Sequence, residues 1–314
     1  MTVDEYPEIK ALTDKIEKEP NNAELYYTRG DTYAGLKYFK KAIDDLNKAI
    51  DLDPQQDYYY VRLSDIYLLE KDAKLQLPDS KKAIDILQGF LKDHPDDELV
   101  TSELGLSYLY VKKHDESINL FQKAIQLKAF NPEAYFYIGV NYKYAGDTVK
   151  AIANFQKAVE QDPKYYDSYM QLGLLLSKRK NDLALDYFDN AIQLQPRKVE
   201  PYYAKAKYLQ DTKRFEQAKK AYRKLVEVEP QHEQTFYNLG YIYLAQDSLD
   251  KAYTNFDRAV QVDPAYADAY YGRGSVLEMQ GNKEEAIADY RNALNIDPDN
   301  ELATQALKDL GVIK

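Results

Sequence analysis

Residues 233–266 read EQTFYNLGYIYLAQDSLDKAYTNFDRAVQVDPAY, and most of the chain repeats this stretch with substitutions. Phe236, Leu239, Gly240 and Tyr243 are followed by Ala252, Phe256, Ala259 and Pro264. A shift of 34 residues lands on Tyr270, Gly274, Ala286, Tyr290, Ala293 and Pro298, the same classes in the same order. A fixed period of this length signals stacked supersecondary units. Apolar residues recur at i, i+3, i+4 and i+7 twice within it, so each unit reads as two short amphipathic helices, A and B. The small residues Gly240 and Ala252 let the pair approach. The proline stops helix B, because it lacks an N–H donor and its ring clashes with the preceding turn.

Carried along the chain, the register gives eight units: 23–56, 57–97, 98–131, 132–165, 166–198, 199–232, 233–266 and 267–300. Position 8 of each is small: Gly30, Ser64, Gly105, Gly139, Gly173, Ala206, Gly240 and Gly274. Position 20 carries Ala42, Ala83, Ser117, Ala151, Ala184, Ala218, Ala252 and Ala286. Residues 1–22, with Pro7 at a favoured first helical position, are expected to form an N-terminal capping helix. Residues 301–314 place Ala303, Ala306, Leu307 and Leu310 on one face and are expected to cap the last unit, whose apolar side would otherwise meet water. Eighteen helices result.

Three departures stand out. The second unit carries an insertion within Glu70–Ser80, which is either a tolerated long turn or, through Leu75 and Leu77, a partner contact. The fifth lacks one residue near Lys178–Asp182. The sixth has Ala206 and Leu225 where its neighbours have Gly and Ala, which predicts shifted packing.

The pattern resembles the tetratricopeptide repeat (TPR) family, with Tyr or Phe where that family often has Trp, over about nine-tenths of the chain. The resemblance implies an all-α fold: a right-handed α–α superhelix, or solenoid, with A helices lining a concave face. In the family that face falls mainly at positions 2, 5, 6, 9, 12 and 13. Transferred to this sequence, it places Tyr27, Phe136, Met170, Tyr203, Tyr237 and Tyr271 at position 5. Leu106, Leu109, Tyr110, Val140, Tyr144 and Tyr241 come from positions 9, 12 and 13. Position 2 is mostly acidic: Glu24, Glu133, Asp167, Glu200 and Asp268.

The expected function is a non-catalytic protein–protein interaction adaptor. Its groove, with tyrosine and aliphatic walls and a carboxylate border, suits a peptide or protein segment with apolar anchors and some basic residues. Each Tyr at position 5 could instead serve mainly to pack neighbouring repeats. Family members that hold a chaperone's C-terminal carboxylate use Lys at position 5 and Asn at position 9. No repeat here, from Tyr27/Asp31 to Tyr271/Ser275, presents that pair, and position 6 is Asn only at Asn238.

The alternative is a structural scaffold subunit of an envelope or secretion assembly, gripped through its convex face and ends. Between Lys178 and Lys224 there are thirteen Lys and Arg against six Asp and Glu, in a chain of net charge −10. Lys219, Lys220, Arg223 and Lys224 fall on a B helix. That patch is either a solvated convex face or a dock for an acidic partner or a second copy, in which case salt weakens the contact.

An acidic chain of pI near 5.0 argues against nucleic acid, which needs a cationic surface. Absence of cysteine excludes disulfides and thiolate chemistry. His94, His114 and His232 show no metal-ligand spacing, and no phosphate-binding glycine loop occurs, so neither catalysis nor a cofactor is expected. No stretch suits membrane insertion, and MTVDEYPEIK lacks the apolar core of a signal peptide. The compartment stays open: cytoplasmic, or periplasmic if a leader has been removed. The Leu-x-Pro and Asp-Pro repeat ends and abundant Tyr look bacterial.

Overall fold

The computed structural model describes residues 3, 6–68 and 80–313. Among them are eighteen α-helices and no strand. α1 (Pro7–Lys18) precedes the pairs α2 (Ala23–Gly35) and α3 (Phe39–Leu52), α4 (Asp57–Leu68) and α5 (Ser80–Asp93), α6 (Glu98–Tyr110) and α7 (His114–Leu127). Then come α8 (Pro132–Tyr144) and α9 (Thr148–Gln161), α10 (Tyr166–Lys178) and α11 (Leu183–Leu194), α12 (Val199–Asp211) and α13 (Phe215–Val228). α14 (Glu233–Ala245) and α15 (Leu249–Val262), α16 (Ala267–Met279) and α17 (Lys283–Ile296) complete the pairs, and α18 (Glu301–Asp309) closes the chain. The fold class is the expected one, all-α and of the α–α superhelical type. Leu75, Leu77 and all of the insertion except Ser80 lie outside the described residues.

Two compact units divide the chain within α10, Met1–Ser168 and Tyr169–Lys314. In the first, successive A helices touch (α2 with α4, α4 with α6, α6 with α8), and in the second α14 touches α16. No two successive B helices among the described residues approach as closely. Along these stretches successive A helices meet one another more extensively than successive B helices do.

Small residues set the spacing within pairs. The position-20 alanines Ala42, Ala83, Ala151, Ala184, Ala218, Ala252 and Ala286 are all 0 % exposed. Ser117, the exception, satisfies its hydroxyl by donating to Gly105 O at 2.7 Å and accepts from Asn141 Nδ2 at 2.9 Å. In the sixth pair Ala206 and Leu225 are both fully buried, beside a Tyr222 whose hydroxyl donates to Gln210 Oε1 at 2.7 Å. The residue missing from the fifth unit comes out of the start of α11, which has 12 residues.

The A-to-B turns share one geometry. Lys37, Lys112, Gly146, Lys180, Lys213, Asp247 and Gly281, all at position 15, have positive φ. In each turn the next residue's N–H reaches back five residues, as in Arg214 N to Leu209 O, while Lys213 N reaches Gln210 O. This is the Schellman closure, which favours glycine because a Cβ crowds the backbone in the left-handed region. Lys213 sits there at φ 58°. Lys213→Gly should therefore stabilise the protein by about 1 kcal/mol, read as a higher urea midpoint at unchanged slope. An unchanged or lower midpoint would mean the turn carries no such strain.

Position 7 departs from the apolar pattern three times. Arg273 donates from Nε and Nη2 to Asp289, both at 2.8 Å, and from Nη1 to Asp257 at 2.6 Å. Arg29 grips Asp45 at 2.7 and 2.8 Å and Thr13 Oγ1 at 3.1 Å. Lys205 pairs with Asp189 at 2.5 Å. Each is a basic side chain lodged between helices and answered by acids sixteen residues away.

Candidate partner-binding face

The position-5 rings are mostly packing elements. Phe136 lies 5.5 Å from Phe155 and 5.4 Å from Tyr165. Tyr203 meets Tyr222 and His232 at 6.3 and 5.3 Å, and Tyr237 meets Phe256 and Tyr266 at 5.6 and 5.3 Å. Positions 5, 24 and 34 thus form a closed ring cluster inside one repeat. Tyr271 packs at a tilt against Tyr290 at 5.7 Å, and Tyr27 packs against Tyr58 and Tyr59 at 4.9 and 5.1 Å. All five are half-buried. Met170 is 9 % exposed and offers no surface, which removes it from the face expected of it.

Exposure falls instead one to two helical turns further on, at positions 9 and 13. In the first unit Tyr110 is 53 % and Tyr144 69 % exposed, at the C-terminal ends of α6 and α8. Leu106, Leu109 and Val140 are half-buried around them. His114 stacks beside Tyr144 at 6.1 Å while its Nδ1 bonds Asn141 Oδ1 at 2.9 Å. Leu99, at the start of α6, is 43 % exposed. In the second unit Tyr241 is 49 % and Leu174 38 % exposed.

Polar groups are uneven along the first unit's A side. Tyr58 and Tyr59 both donate to Glu24 Oε2, at 2.8 and 3.2 Å. Arg62 joins Asp31 at 2.6 Å and Asp65 at 3.7 Å. Beyond them Glu103 is half-buried on α6, its Oε1 accepting from Ser64 Oγ at 3.2 Å. Burial, with Asp65 and Glu133 nearby, pushes its carboxyl up to about 7, against the smaller opposing effect of the serine hydrogen bond. Burial likewise raises the Tyr137 phenol to about 12, helped by Glu133, Tyr110 and Glu103. Glu103 and Tyr137 sit at position 6, and the sequence reading passed over both. A lone acid at position 6 beside acids at position 9 of the preceding repeat and position 2 of the next was the available signal.

The basic patch on α13 divides in two. Lys219 is buried, paired with Glu216 at 2.6 Å and Gln246 Oε1 at 2.9 Å, and it covers the Tyr243 ring at 5.0 Å. Arg223 donates to the Tyr243 hydroxyl at 2.9 Å. Lys219 therefore leaves the solvated patch expected of it. Lys220 and Lys224 face the other way and line a cleft of about 490 Å³ between α11, α12 and α13, floored by Leu185, Ile192, Leu209 and Ala221. Among the described residues no helix is long and apolar enough to cross a membrane, and no cluster of His, Cys, Asp and Glu could hold a metal ion.

The repeat geometry has counterparts among known proteins. Family models described as tetratricopeptide repeat match residues 23–56, 102–131, 132–165, 203–260 and 267–300, and one described as TPR repeat matches 240–281. The human protein O-mannosyl-transferase TMTC3 is 23 % identical over 194 residues, 61 % of this chain and 21 % of the transferase. The chain thus spans about a fifth of that relative, and a likeness of this extent carries no catalytic claim. The C-terminal part of a TPR repeat-containing protein from Cytophaga hutchinsonii superposes with a TM-score of 0.66 at 19 % identity, covering 79 % of this chain and 99 % of that one. The type IV pilus biogenesis factor PilW gives 0.53 at 18 % identity, over 67 % of this chain and 98 % of PilW. Both structures share the fold alone. With the matched segments spanning more than half of its length, the chain belongs to the tetratricopeptide repeat family.

Proposed function

We propose that this protein is a non-catalytic interaction adaptor that receives a peptide or protein segment on the A-helix side of its first unit, centred on Leu106, Leu109, Tyr110, Val140 and Tyr144. The TPR fold is that of a protein–protein interaction scaffold, which sets the class of activity. The observation that carries the finer reading is the contrast between ring positions. The position-5 aromatics are taken up by packing within their own repeat or, for Tyr27, against the next one, whereas Tyr110 and Tyr144 stand out at 53 % and 69 % exposure beside aliphatic neighbours. Clustered exposed apolar side chains tend to mark interfaces. Tyr241 and Leu174 offer a smaller surface of the same kind in the second unit.

Replacing both Tyr110 and Tyr144 by alanine should abolish capture of the partner while leaving the circular dichroism and the melting curve unchanged. A buried aromatic anchor is worth roughly 2 kcal/mol or more, so the pair accounts for a loss of several hundredfold to about a thousandfold in affinity. Capture that survives the double substitution would remove this face from consideration. The cleft beside Lys220 and Lys224 favours a second reading, a scaffold held through its B helices by an acidic partner. Charge reversal at those two lysines, and not at buried Lys219, should then be the damaging change.

A further inference from the structure

Glu103 stands between α4 and α8, with Asp65 on one side and Glu133 on the other, and near the phenol of Tyr137, which lies near Tyr110 in turn. The nearby bases are already engaged. Arg62 is held by Asp31 and Asp65, and Lys128 reaches Glu98 at 3.8 Å. No basic side chain among the described residues pairs with Glu103; its one hydrogen bond comes from Ser64. The exposed aromatic face therefore adjoins a spot where negative charge lacks a counterpart within the protein.

Resting on the proposed docking face, we propose that Glu103 is its specificity residue: it selects a partner segment carrying a lysine or arginine flanked by apolar residues. The cation meets the carboxylates of Glu103, Asp65 and Glu133 and the π faces of Tyr137 and Tyr110, which attract a cation in their own right. The apolar flanks lie along Leu106, Leu109 and Tyr144. A neutral or acidic segment of the same shape leaves the Glu103 charge unmatched, which is how buried polar groups reject the wrong ligand.

The selection is coupled to a proton. Glu103 titrates at about 7 in the free protein, raised mainly by burial. A bound cation favours its ionised form. Binding therefore releases a proton, and affinity rises with pH through neutrality and is lost below it. Asp65 and Glu133 are also raised by burial, Glu133 further by Glu98, but Arg62 opposes the first and Lys128 the second. His114, stacked beside Tyr144, is the imidazole nearest the face and needs its own control.

Two fluorescein-labelled peptide pools test this by anisotropy at pH 6 and pH 8. One has a central Lys between positions randomised over Leu, Ile, Phe and Tyr; its twin has norleucine at the centre. The lysine pool should bind about tenfold more tightly at pH 8 than at pH 6, the change in ionised fraction of a group titrating near 7. The norleucine pool should bind more weakly at pH 8 and show no such rise. Glu103→Gln should remove the preference and the pH response together, and His114→Gln should keep both. Equal binding of the two pools, or a pH response that survives Glu103→Gln, overturns the role of Glu103 while leaving the docking face intact. Failure of both pools to bind at either pH overturns the docking face, and this inference with it.

Discussion

Arg273→Met should destabilise the protein by about 3–5 kcal/mol, the range for removing one partner of a buried ion pair. The substitution keeps most of the side-chain volume, so the loss is electrostatic. Asp289 has a side-chain exposure of 7 % and loses both of its guanidinium bonds, while Asp257, at 29 %, loses one and can turn to water. Adding Asp289→Leu should recover most of the loss, since a well-packed apolar pair can match a buried ion pair. A single variant that melts like its parent at pH 7 would show that Asp289 is solvated in solution.

Gly139→Leu is the second large effect. A Cβ at residue 139 would lie 2.8 Å from both Cδ1 and Cε1 of Phe155, whose ring is 0 % exposed and packed against Phe136. The ring cannot swing away, so α8 and α9 must separate. Overpacking of this kind costs roughly 3 kcal/mol, and the damage should be concentrated in the neighbouring helix pairs, because each pair contacts only its neighbours. Gly89 provides the contrast: nothing lies within 4 Å of a Cβ built there, in the middle of an exposed helical face. Gly89→Ala is then a folding control, without the cost of Gly139→Leu. Equal melting of Gly139→Leu and its parent would mean that position 8 is not where the helices meet.

Much of this architecture could be read from residue classes alone. Small residues at positions 8 and 20, with a terminal proline, locate both helices of a pair, because close approach and chain termination are local demands with few solutions. The same reasoning is silent on Arg29, Lys205 and Arg273, which count as breaks in an apolar stripe until their acids are found sixteen residues away on neighbouring helices. Position 5 misled in the opposite direction. A tyrosine there has the same identity whether its ring faces solvent or is covered by residues 24 and 34 of its own repeat, and only the packed structure separates Met170 from Tyr144. Glu103 escaped because an acid on an acidic surface is ordinary; its isolation from every described base is a three-dimensional fact.

The ring clusters at Phe136–Phe155–Tyr165, Tyr203–Tyr222–His232 and Tyr237–Phe256–Tyr266 bring the last residue of a period back onto its fifth. Inserting or losing one whole period of 34 residues keeps every such aromatic with its mates. So does a change confined to the turn between positions 5 and 24, where the second unit carries its insertion and the fifth lacks its residue. A change of length between positions 24 and 34 would pull the rings apart.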